Sequence, residues 1–135
     1  MQSVKLATLL LQKAMQDQYV MNRLVEDPSA PDETIGFHAQ QAVDKLIKAV
    51  LAHRAIEYRR THQLEELAAV LDDSGIVPPL ELSEAIALTP FAVELRYDVL
   101  PIHDDAAPPF DRQWAKHCVQ RVAEWAVSVV ERGGG

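Results

Sequence analysis

"FHAQQAVDKLIKAVL", Phe37 to Leu51, decides the fold. Ala39, Ala42, Val43, Leu46 and Val50 recur at three- and four-residue steps, Ile35 extends the series upstream, and Ile47 and Ala49 widen it. Apolar residues at that step lie along one side of a 3.6-residue helix. Gly36 falls in the first turns, where a glycine is either a mild cost or a place of close packing.

Working outward, the same period governs both flanks. Upstream, Val4, Ala7, Leu10, Leu11, Ala14, Gln18 and Met21 mark a helix that fades near Val25. "EDPSAPD" follows, with two prolines and with Ser29 and Asp32 as the expected caps. Downstream, "EYRRTHQLEELAAVLDDSG" reads as a connection and a shorter helix. Thr61 is its expected N-cap, Leu64, Leu67, Ala68 and Leu71 its buried stripe, and Gly75 its stop. A fourth helix starts after the prolines of "IVPPLELSEAIALTP". Pro90 lacks an N–H and clashes with a preceding helical turn. Thr89 is therefore expected to cap a restart with Pro90 at its first position, a short turn that ends near Tyr97.

"DVLPIHDDAAPP", Asp98 to Pro109, reads as loop, and Asp111 is the expected cap of a last helix. Trp114, Cys118, Val122, Trp125, Ala126 and Val129 keep helical spacing there, and the two tryptophans belong to the core or a dimer interface. Period-two alternation never persists and hairpin dipeptides are missing. The expectation is an all-α protein: an antiparallel up-down helical bundle of about five helices, one domain over residues 1–135, with 133–135 a flexible glycine tail.

Composition narrows the function. The 135 residues carry a net charge of −7. Binding to long nucleic acid draws most of its affinity from phosphate contacts by a basic face, so a general DNA or RNA coat protein is disfavoured. A small cationic pocket in an acidic chain is not. The single cysteine, Cys118, has no partner for an internal disulfide and points to a reducing compartment. No apolar run approaches the roughly 20 residues that span a bilayer, and Lys13 and Asp17 interrupt the N-terminal apolar patch too early for a signal peptide. A soluble, cytoplasmic protein is expected.

Two groups of residues carry candidate chemistry. Arg96 and His103 stand with six residues between them, in "ELRYDVLPIHDD". Arg96 at a helix C-terminus is also explained by the helix dipole, worth roughly 0.3–1 kcal/mol, and His103 by a loop. The second group runs from Lys45 through Lys48, Arg54, Arg59 and Arg60 to His62: five basic residues against one acid, Glu57, a local charge of +4. Lys45 and Lys48 share a helix face and suit a nucleotide or a partner's acidic surface, with a solvated helix flank as the plainer reading. His62 reads more readily as part of a structural clamp with Thr61. His38, His53 and His117 show no spacing that compels a metal, and glycine loops that cradle phosphate are missing.

Three stretches carry a family resemblance. "FHAQQAVDKLIKAVL", "THQLEEL" (Thr61–Leu67) and "LTPFAVELRYD" (Leu88–Asp98) resemble, in that order, the motifs of HEPN domains, the higher eukaryotes and prokaryotes nucleotide-binding family. The resemblance implies an up-down helical bundle, often a homodimer, commonly paired with a minimal nucleotidyltransferase as a toxin–antitoxin system. It further implies a metal-independent ribonuclease site of an arginine, four to six residues, then a histidine, which falls on Arg96 and His103. Tyr97, Lys45 and Lys48 are the corresponding nucleotide-binding candidates. No cofactor is implied. Asp98 replaces the family's proline after Arg-Tyr, and Tyr97 takes a place where active members carry a small polar residue. A nucleotidyl-accepting tyrosine two residues past the histidine is replaced by Asp105.

On this reading His103, with a reference pKa near ~6.5, is the base that takes a ribose 2′-OH proton. Arg96 is the fixed cation that holds phosphoryl charge. The contrasting expectation is a non-catalytic homodimeric interaction or nucleotide-binding module.

Overall fold

The structure, a computed structural model, describes residues 2–93 and 110–131. They form α1 (Gln2–Val25), α2 (Asp32–His53), α3 (Leu64–Asp73), α4 (Leu80–Ala85), a 3-10 helix (Ile86–Val93) and α5 (Arg112–Glu131). Among the described residues there is no strand.

The quoted stretch lies at the centre. α2 packs against α1, α3, α5 and the 3-10 helix, and this is why its apolar stripe is so wide. Ile35, Ala39, Ala42, Val43, Leu46, Ile47, Ala49, Val50 and Leu51 are all buried. The expected faces of the other helices hold in the main, except that Val4, at the start of the α1 series, is 49% exposed. Leu11, Ala14 and Met21 of α1, Leu64, Leu67 and Leu71 of α3, and Cys118, Val122 and Ala126 of α5 join the same core, while Trp114 and Trp125 pack against it half-buried. Each fully buried leucine or isoleucine contributes about 1.5–3 kcal/mol by leaving water.

Helix ends are where expectation and structure part. α2 begins at Asp32 behind Pro31, with no side-chain cap. Ser29 caps nothing: its own N–H donates to Asp27 Oδ1 at 2.9 Å. The Asp32 carboxylate is taken instead by Arg112 Nε at 2.9 Å. Thr61 does not cap α3 either. Its Oγ1 accepts from the Gln63 N–H at 3.0 Å, a local turn that closes just before the helix begins. The first N–H of α3, on Leu64, donates to Thr89 Oγ1 at 3.1 Å, so the cap comes from the 3-10 helix. That engagement also explains why Thr89 starts no new helix. The chain passes from α4 into the 3-10 helix without a break, and Pro90 sits inside it.

Other ends follow expectation. Asp111 Oδ1 accepts the Trp114 N–H at 3.0 Å, capping α5. Gly75, at φ +74°, stops α3, with Ile76 N–H bonded to Leu71 O and Gly75 N–H to Asp72 O, each at 3.0 Å. This is the Schellman arrangement that a left-handed residue permits. α2 ends the same way, but with Ala55 at φ 56° in the glycine's place. Gly36 is a site of close packing: a Cβ there would overlap the ring of Phe91. Phe91 in turn meets Phe110 edge-on, ring centroids 5.3 Å apart.

Candidate functional site

Arg96, Tyr97 and His103 lie outside the described residues, as do the expected turn ending near Tyr97, Asp105 and the stretch Asp98 to Pro109. The frame around them is described. Phe91 and Phe110, which flank residues 94–109 in sequence, touch each other, and Phe91 lies against Gly36 at the N-terminal end of α2.

The second candidate group lies on the polar side of α2, and nearly every member is engaged. Lys45 Nζ reaches Asp17 Oδ2 of α1 at 2.5 Å. The other oxygen of Asp17 accepts from His38 Nδ1 at 3.0 Å. One helical turn further, Lys48 Nζ is 2.9 Å from Asp44 Oδ1, an ion pair that falls short of hydrogen-bond geometry. Asp44 Oδ2 takes His62 Nδ1 at 2.7 Å. Arg59 forms a two-pronged contact with Glu66, at 2.9 and 2.7 Å. That bond holds the Glu66 carboxyl below its usual pKa and the guanidinium above its own. The local excess of positive charge along residues 45–62 is therefore answered by acids that sequence distance hides: Asp17 and Glu66 from outside the stretch, and Asp44 from its edge.

Asp44 is the centre of this network. Its residue is 1% exposed, and a carboxylate so buried persists only when paired and hydrogen-bonded. Burial first, and then the Asp44 charge, push the Tyr58 hydroxyl pKa up. Lys48 also stands 6.0 Å from the Tyr58 ring centroid. Buried Gln40, one turn before Asp44, donates to the His62 carbonyl at 2.8 Å. The quoted α2 stretch and the Thr-His-x-Leu stretch thus meet: Gln40 holds the backbone of His62 while Asp44 holds its ring. The clamp reading of His62 is what the geometry displays.

Chemically, both imidazoles point Nδ1 at a carboxylate, and a carboxylate can only accept, so Nδ1 carries the proton. Among the described residues, no hydroxyl or thiol hydrogen-bonds to either ring. Cys118 is buried, and burial followed by the charge of Glu84 pushes its thiol up to about 11, so it is a poor nucleophile. No group of three or more His, Cys, Asp or Glu among the described residues is arranged to hold a metal. No helix among them is long and apolar enough to cross a membrane.

Sequence reasoning missed Asp17 and Asp44. A signal existed for Asp44: it stands directly after Val43 and two before Leu46, an acid set among core positions. Asp17 carries no such mark. It also missed Arg112, whose Nη1 donates to Asp27 O at 2.9 Å and Nη2 to Ala30 O at 2.6 Å.

The sequence model of the HEPN domain family matches residues 7–131. Comparison with curated proteins and with solved structures gave no match.

Proposed function

The chain belongs to the HEPN domain family, and from that premise we propose that this nucleotide- or RNA-related helical module works in the cytoplasm beside a nucleotidyltransferase-type partner, as one half of a toxin–antitoxin pair. In this reading it is a metal-independent endoribonuclease. His103 takes the proton of a ribose 2′-OH, the oxygen attacks the adjacent phosphorus, and the 5′-oxygen leaves, so a 2′,3′-cyclic phosphate remains. Arg96 holds the non-bridging oxygens as charge gathers on them.

The observation that carries the reading is the family match together with Arg96 and His103 with six residues between them. The frame supports it: the Phe91–Phe110 contact ties both ends of the stretch bearing the pair to the bundle. A homodimer belongs to the same proposal, supported by Leu6, Leu9 and Val20, which α1 leaves exposed. Tyr97, Lys45 and Lys48 are its nucleotide contacts. The two lysines come second, because a phosphate has to displace Asp17 or Asp44 to reach them.

Those same pairings favour a second reading, a non-catalytic interaction module in which Lys45 and Lys48 serve only the bundle. Incubating the purified protein with mixed RNA in EDTA separates the two. The ribonuclease reading expects cyclic-phosphate ends, with Arg96→Ala and His103→Ala each slowing cleavage by about 10²-fold or more. Cleavage that survives both substitutions refutes the site, and absence of cleavage favours the interaction module.

A further inference from the structure

α1 carries a second spacing that overlaps its core stripe at Leu11. Val4, Thr8, Leu11, Met15, Gln18 and Asn22 follow alternating steps of four and three, and on α5 so do Gln120, Glu124, Val127 and Glu131. Steps averaging 3.5 residues keep such positions along one face of each helix, the face that a third helix can lie against. The two helices run antiparallel, since Arg112 at the start of α5 reaches the carbonyls of Leu24 and Val25 at the end of α1. Between them lies a groove of about 600 Å³, lined from Met15 to Asn22 on one side and from Gln120 to Glu131 on the other. Met15, Gln18 and Asn22 of the first series and all four residues of the second line it, and among the described residues no helix fills it.

The lining has one sign of charge. Its only ionisable residues are Glu124 and Glu131. Glu124 touches Arg121 in an exposed pair at 2.9 Å, and Glu131 has no partner among the described residues. Met15 is 46% exposed, and the first series runs on beyond the groove to Val4 at 49%. Asn22 adds a polar demand: its Oδ1 is sealed from solvent and accepts no hydrogen bond. The amides of Gln18 and Gln120 line the groove beside it.

We propose that this groove receives a cationic amphipathic helix of a partner protein. Its apolar face covers Met15 and Val127, and its Lys or Arg side chains reach Glu124 and Glu131. Charge selects this occupant over a second copy. Two-fold pairing through the groove sets the same surface against itself, which brings Glu124 and Glu131 of one copy towards those of the other. The inference stands apart from RNA cleavage.

The probe is a fluorescein-labelled synthetic helix of about 21 residues, with Leu at the seam positions and Lys and Arg beside them. Its control carries Glu in place of the bases. Anisotropy with the full chain should show saturable binding of the basic peptide alone. Glu124→Lys with Glu131→Lys, and separately Met15→Asp, should each weaken it roughly tenfold or more. Asp72→Lys with Asp73→Lys, an equal charge change on α3, should leave it within about twofold. No binding, equal binding of the Glu peptide, or equal loss with the α3 variant overturns the proposal. So does sedimentation showing a dimer that Met15→Asp dissociates, which assigns the groove to a second copy.

Discussion

Gly36 and Ala55 reverse the usual preferences for their residue types. Gly36 stands inside a helix, where alanine is normally the better choice by about 1 kcal/mol. Phe91 occupies the space a Cβ would need. Gly36→Ala should therefore destabilise by about 1–3 kcal/mol, the range for overpacking a filled site. Ala55 has the opposite problem: it is exposed and left-handed, at φ 56°. Ala55→Gly relieves steric strain without loss of packing and should stabilise by about 0.5–1 kcal/mol. Urea unfolding of the two variants beside the parent checks both signs. Neither position announces itself equally in the sequence. A glycine in a strong helical pattern raises the question of close packing, whereas an alanine gives no hint that it ends a helix.

Between elements, the informative contacts are side chains that satisfy another segment's backbone. Arg112 gathers carbonyls from the α1–α2 connection and also pairs with Asp32, joining the start of α5 to the corner between the first two helices. Arg112→Ala should cost about 2–3 kcal/mol, because charge-assisted bonds are lost and buried acceptors are left unmet. Arg112→Lys should restore less than half, since an ammonium lacks the planar fork. Thermal melts of the three proteins test the ranking. Such contacts explain what the sequence left unread. Period and spacing place α1, α2, α3 and α5 because each apolar stripe is local to its own helix. Carbonyl oxygens, by contrast, carry no residue identity, so nothing near Arg112 names its partners. Thr89 and Thr61 show the same limit: both were matched to the nearest helix start, and the hydroxyl that caps α3 comes from 25 residues away.

At the scale of the whole molecule, α2 is both the core and the organiser of the polar side. Asp44 ties α2 to the following connection through His62, and Asp17 ties α1 to α2 through His38 and Lys45. Asp44→Ala should cost about 3–5 kcal/mol, the range for leaving one half of a buried pair uncompensated, here Lys48. His62→Ala should cost only about 1 kcal/mol, because its side chain is 61% exposed and water replaces what it loses. The double variant should cost less than the sum, since both changes remove one shared bond; a double-mutant cycle by denaturant titration reads this directly. The resemblance in α2 and in Thr61–Leu67 was legible as two separate motifs, but their contact was not, because sequence order does not show which turn of α2 the connection crosses. The Arg96/His103 assignment rests on spacing and family membership, where the bundle rests on geometry as well.

The left-handed alanine that closes α2 also bears on how such a protein can change over time. A fold in which removing one methyl group strengthens the whole has a ready compensator for harmful substitutions elsewhere. A variant that gains a new binding face at some loss of folding can be rescued at a distance, by a single exchange that touches neither the groove nor the polar clamp.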